Sequence, residues 1–159
     1  GTYVRGRFER TGRDIDDDAL AAVLTTTDGH PYATQELAFF VWSHVPHGHA
    51  GRSSDVAAAL RDVLRAEHNN LARIWDAATR NERLVLLALR AGPASLYSEE
   101  ARLLAGLPAA TFVQRAVTSL TREDVIEKAP DGRYRIAEPF LADWLDREQS
   151  SRTQGDARP

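Results

Sequence analysis

The 159 residues contain no cysteine and no methionine. Without cysteine there are no disulfides and no thiolate metal sites, and nothing follows about the redox state of the compartment. Without methionine the sequence does not open at a natural start, and it reads as a fragment or excised domain of a longer chain. Lysine is nearly missing: Lys128 stands alone, and the other 19 of the 20 basic residues are arginine. That is first a coding bias and only second a sign of phosphate recognition. No apolar run approaches the roughly 20 residues a membrane helix needs. No signal peptide opens the chain. A cytoplasmic location without a membrane partner is therefore expected. A Gly-Lys-[Ser/Thr] phosphate loop is missing as well. The sole lysine follows Glu127 in a stretch that reads as a strand. These residues are not expected to catalyse anything by themselves, nor to hold a nucleotide, magnesium or any other cofactor.

What is present is the composition of a globular chain, 43% apolar and 27% charged. The net charge of −3 gives no general attraction to nucleic acid. Residues 1–50 hold four arginines against seven acids, whereas residues 109–137 hold five basic groups against four acids. The second region is the less acidic one, but it is no basic patch.

The punctuation of the chain predicts a mainly α fold. Residues 1–13 have no clear period, and Thr2 to Phe8 read as a strand or a loose arm. Asp14 is the expected N-cap of a helix with Ile15, Ala19, Leu20, Val23 and Leu24 on its apolar face. Gly29 closes that helix and Pro31 opens the next, which runs to about His44. Pro46 to Gly51 read as a loop. One helix or two occupy Asp55 to Ala78, with Asn69-Asn70 as the break and Ser53 or Ser54 as the cap. Thr79 and Glu82 form a capping box for a buried helix through Leu89, which Gly92-Pro93 stop. A short helix over residues 98–105 and a longer one over 110–123 follow, the latter turning Val113, Ala116, Val117 and Leu120 inward. Ala129-Pro-Asp-Gly132 marks a hairpin between strands 125–128 and 133–136. Pro139 starts the last helix. Trp42, Trp75 and Trp144 lie on apolar stripes and are expected to be largely buried, with Tyr134 packed on the last helix. The domains expected are 1–78, a helical lid-like subdomain with a linking helix; 79–146, a winged helix-turn-helix with one short β-hairpin; and 147–159, a disordered tail.

Two stretches carry a family resemblance. Gly29-His-Pro-Tyr-Ala-Thr-Gln-Glu-Leu-Ala-Phe-Phe-Val-Trp42 resembles the G-x-P corner in the helical lid of prokaryotic signal-transduction-type P-loop ATPases, the archaeal-type relatives of AAA+ proteins. Arg133-Tyr-Arg-Ile-Ala-Glu-Pro-Phe-Leu-Ala-Asp-Trp-Leu145 resembles the wing strand and following helix of the winged-helix domain in those ATPases. In order and spacing the two span residues 8–146. The chain departs from the family in lacking its nucleotide-binding core. The resemblance implies that an N-terminal P-loop ATPase core of the same parent chain is the partner. ATP and magnesium would belong to that core, and His30, Pro31 and Gln35 would lie near its nucleotide. The same residues also suffice for a tight helix–helix corner with no further role.

Further candidates come from residue types. If the winged helix binds duplex DNA, the outward positions of residues 110–123 must do it. Gln114 and Arg115 can reach base edges, and Thr118, Arg122, Lys128 and Arg133 can reach phosphates. The interspersed Glu123, Asp124, Glu127 and Asp131 oppose this, so DNA binding should be weak, and protein contact is nearly as good a use of the same face. The imidazoles of His44, His47 and His49 lack a fourth ligand and read as a solvated loop rather than a zinc site. Asp16 to Asp18 lack the spacing of a calcium loop. The function expected is coupling of nucleotide state to DNA or protein binding in a P-loop ATPase. A free-standing winged-helix regulator and a protein-interaction scaffold are the alternatives.

Overall fold

The computed structural model describes residues 1–92 and 94–156. The fold is mainly α with two small sheets. The chain divides into two compact units, Gly1–Glu67 and a second from His68 onward.

The first unit opens with α1 (Thr2–Glu9), where a strand or loose arm was expected. Val4 and Phe8, one turn apart, are 3% and 1% exposed and anchor that helix. Next comes β1 (Asp14–Ile15), paired in parallel with β2 (Ala50–Gly51). Asp14 N–H donates to the His49 carbonyl (3.0 Å) and Asp16 N–H to the Gly51 carbonyl (2.9 Å). This pairing moves the helix start: the N-cap of α2 (Asp17–Thr26) is Asp16 rather than Asp14, and Ile15 enters the core from a strand. Gly51 sits in a tight spot: a Cβ there would lie 3.1 Å from a Val45 methyl and 3.2 Å from a Val41 methyl, so those side chains would have to give by a few tenths of an ångström.

The corner between α2 and α3 (Pro31–His44) forms as its residues dictate. Gly29 takes φ 68°, the left-handed conformation, and Pro31 sits in the first turn of α3. Thr27 secures it: its buried hydroxyl lies 2.8 Å from that of Thr34, so the end of one helix is tied to the start of the next. Two helices then occupy the stretch where one or two were allowed, α4 (Ser53–Ala66) and α5 (His68–Ala77). The break falls at Glu67, not at Asn69-Asn70, and the N-cap of α4 is Arg52, whose N–H reaches Asp55 (2.8 Å).

The second unit begins with α5, at His68. The indole N–H of Trp144 donates to Nδ1 of His68 (3.1 Å) and ties α5 to the last helix. After α5 come α6 (Arg80–Leu89), α7 (Glu99–Leu104), α8 (Ala110–Arg122), β3 (Ile126–Lys128), β4 (Tyr134–Ile136) and α9 (Leu141–Asp156). The capping box is present: Thr79 N–H donates to Glu82 (2.7 Å), and Glu82 N–H to the Thr79 hydroxyl (3.4 Å). The hairpin pairs Ile126 with Ile136 in antiparallel register. A third strand position joins it, because Ala94 and Tyr134 exchange both backbone bonds (3.0 and 3.2 Å). From α6 onward the unit thus runs helix, bridge, helix, helix, hairpin, helix.

One expectation on aromatics changes. Trp75 and Trp144 are buried, but Trp42 is only half-buried. The Tyr134 ring meets Tyr97 edge-to-face (6.1 Å), since the Ala94 bridge brings that segment beside β4. The helical span of α9 also overlaps the expected tail at 147–159. Leu141, Trp144 and Leu145 nucleate it on the core, and propagation through polar residues then costs little. Pro93 and residues 157–159 lie outside the described residues.

Candidate functional site

The Gly-His-Pro corner is built from backbone constraints. Asp28 (φ 46°) and Gly29 (φ 68°) are both left-handed, which turns the chain sharply enough for α3 to start at Pro31. His30 is the N-cap, and its Nδ1 accepts from the Ala33 N–H (3.3 Å). One of the free N–H groups of the α3 N-terminus is therefore already occupied. His30 and Pro31 are exposed at the tip. Thr34 is buried and committed to Thr27. Gln35 is exposed one turn on and faces a groove shared with α1. The corner thus brings His30 and Pro31 together, while Gln35 points to a different surface.

In the second unit Val113, Ala116, Val117 and Leu120 are all buried, 5% exposed or less. The opposite face of α8 leaves Gln114, Arg115, Thr118 and Arg122 exposed, and Lys128 and Arg133 are exposed on the hairpin. Most of these groups have local partners. The Thr118 hydroxyl donates to the Gln114 carbonyl (2.9 Å). Arg122 lies 3.6 Å from Glu123, and Arg133 lies 3.9 Å from Asp131. The neighbouring Arg135 is held at 2.6 Å by Glu127. The Lys128 ammonium sits 5.9 Å from the Tyr134 ring. Arg115 makes no ion pair among the described residues. Phe112 and Leu103 are 47% and 76% exposed on α8 and α7.

Glu82 has a second role that sequence reasoning missed. It is 8% exposed. Burial alone would raise its pKa, but the Thr79 N–H and hydroxyl, the Ser119 hydroxyl and the Arg122 charge together bring it below the ordinary value. One carboxylate therefore caps α6 and also binds α8. The i, i+3 spacing of the capping box reveals the first role, and nothing local reveals the second.

The three loop histidines do not converge. His44 Nε2 lies 2.7 Å from Asp62 and so links α3 to α4. His49 Nδ1 lies 3.2 Å from the His47 carbonyl. Among the described residues no group of three His, Cys, Asp or Glu is placed to hold a metal ion. No described helix is long and apolar enough to cross a membrane.

No protein-family profile matches the chain, and no curated protein or solved structure matches it.

Proposed function

We propose that the chain is the lid and winged-helix region of a P-loop ATPase and that α8 is its contact surface for a partner. The reading is carried by the element order from α6 to α9, with β4 bridged to the segment after α6, following a Gly-His-Pro helix corner. The chain supplies no phosphate-binding lysine, so ATP and magnesium belong to the upstream core. The α2–α3 corner would sit over the nucleotide and transmit its state. His30 and Pro31 are the groups nearest to it in this arrangement, and Gln35 is not among them, since it lines the α1 groove.

Between DNA and protein as the partner of α8, charge and apolar exposure favour protein. Arg122 and Arg133 each face an acid, which lowers the number of phosphates they can neutralise. Phe112 offers an exposed ring on the same helix.

Two measurements test this. The residues preceding Gly1 in the natural gene should contain Gly-Lys-[Ser/Thr] after an apolar strand; an upstream region without one removes the ATPase parent. Fluorescence anisotropy with a random duplex at low salt addresses the partner. Weak binding abolished by Arg115→Glu would restore DNA as the ligand of α8. Absence of binding supports the protein partner, and binding that survives Arg115→Glu with Arg122→Glu places the DNA surface off this helix.

A further inference from the structure

A second surface lies entirely in the first unit and stands apart from the reading above. Between α1 and α3 runs a groove of about 480 Å³. Its floor includes Val4 and Phe8, which belong to the core. Its walls are two helical stripes. Tyr3 and Arg7 lie one turn apart on α1 with Arg10 at its C-cap, and Gln35, Phe39 and Trp42 lie at i, i+4 and i+7 on α3. Tyr3 and Phe39 are 58% and 59% exposed, so two large rings stand in water beside each other's helices.

The aromatic wall is stiff. The Trp42 indole N–H donates to the Thr11 hydroxyl (2.8 Å), and the Arg13 guanidinium lies 4.3 Å over the Trp42 ring. Arg13 is held in turn by its Nε bond to the Val45 carbonyl (2.7 Å). Phe39 stacks on Trp42 at 5.9 Å and 22°. An apolar surface already fixed in place loses little entropy on binding.

Charge selects the occupant. The sequence of the first unit holds seven arginines and ten acids, yet the groove is lined by two arginines and no acid. Arg7 and Arg10 make no ion pair among the described residues, whereas Arg5 on the same helix is paired with Asp14 and Asp17. Shape selects the size. Rings more than half exposed cannot enclose most of a small molecule, as a ligand pocket must. The α3 wall from Gln35 to Trp42 has the length of about two helical turns, roughly 10 Å. We infer that this groove docks a short amphipathic helix of a partner protein, its apolar face on Phe39 and Trp42 and its acidic flank on Arg7 and Arg10.

The test uses the full chain and two labelled amphipathic helical peptides with the same apolar positions, one flanked by glutamates and one by lysines. Anisotropy should show micromolar binding of the acidic peptide and at least about tenfold weaker binding of the basic one. Phe39→Ser should weaken the acidic peptide about tenfold or more, and so should Arg7→Glu with Arg10→Glu. These side chains are exposed, and an unchanged circular-dichroism melt shows that each variant is folded. Equal binding of both peptides, binding indifferent to Phe39→Ser, or no binding at millimolar peptide overturns the proposal. A dimer in sedimentation equilibrium that Phe39→Ser dissolves also overturns it, by assigning the groove to a second copy of the chain.

Discussion

The two units treat the same residue types differently. In the second, Trp75 and Trp144 are buried and the buried carboxylate of Glu82 is met by donors from two helices. In the first, Trp42 is only half-buried and Phe39 stands in water. There the carboxylate of Glu36 is pushed up by burial and by the nearby Glu67, and its Oε2 has no hydrogen-bond partner among the described residues. Burial therefore does not by itself say what a carboxylate contributes. Donors aimed at it turn the desolvation cost into a net attraction, and a second acid adds to that cost. Among the described residues the first unit leaves Arg7 and Arg10 without an ion pair beside the exposed ring of Phe39.

The largest expected effect is on Trp144. Trp144→Ala removes a buried ring and the bond to His68, and should cost about 3–5 kcal/mol in a urea melt. Trp42→Ala should cost less, because that ring is already partly exposed. Equal costs would erase the contrast between the units.

Glu82→Ala should come next, at about 1–3 kcal/mol, since it strips the cap of α6 and leaves Thr79 and Ser119 donors unmet. A value near a few tenths would mean that the α6–α8 link contributes nothing. The pH dependence sharpens the same point. With its folded pKa lowered, Glu82 contributes stability above its ordinary 4.5, and that contribution is lost as the pH falls through the folded value. Glu36 runs the other way: with its folded pKa raised, its contribution is complete below 4.5 and is lost as the pH rises through the folded value. Melts of Glu82→Gln and Glu36→Gln between pH 3 and pH 7 should therefore differ in sign. Glu36→Gln is expected to stabilise by up to about 0.5 kcal/mol at pH 7 and to do nothing at low pH. Destabilisation at pH 7 would show that Glu36 has found a donor.

The smallest effect concerns α8 on DNA. With Arg122 and Arg133 facing acids, only Arg115 and Lys128 remain for phosphates. Any log–log salt slope should then be near −2, at about −0.9 per neutralised phosphate. A slope near −4 would mean that the acids swing away and that the second unit is as open in charge as the first.

Local chemistry made much of this legible in advance. The Gly29-Pro31 corner, the Thr79-Glu82 box and the Ala129–Gly132 hairpin each follow from a backbone preference or a cap that needs only its neighbours in sequence. The inward face of α8 follows from its period. The helix at Thr2–Glu9 was not legible, because Gly1, Gly6 and Gly12 dilute the one informative pair, Val4 and Phe8.

By itself the sequence determined the mainly α class, the order of elements from Thr79 onward, the turns, and the absence of a phosphate loop. Each of these depends on contacts within a few residues, where the partner is given by spacing. Only the tertiary structure decided which distant groups meet. It paired Asp14 with Ala50 and so moved the start of α2, set Glu82 against Ser119, and opened a groove between α1 and α3. No period encodes such partners: chain closure across tens of residues has many near-equal solutions, and the packing of the whole unit selects among them.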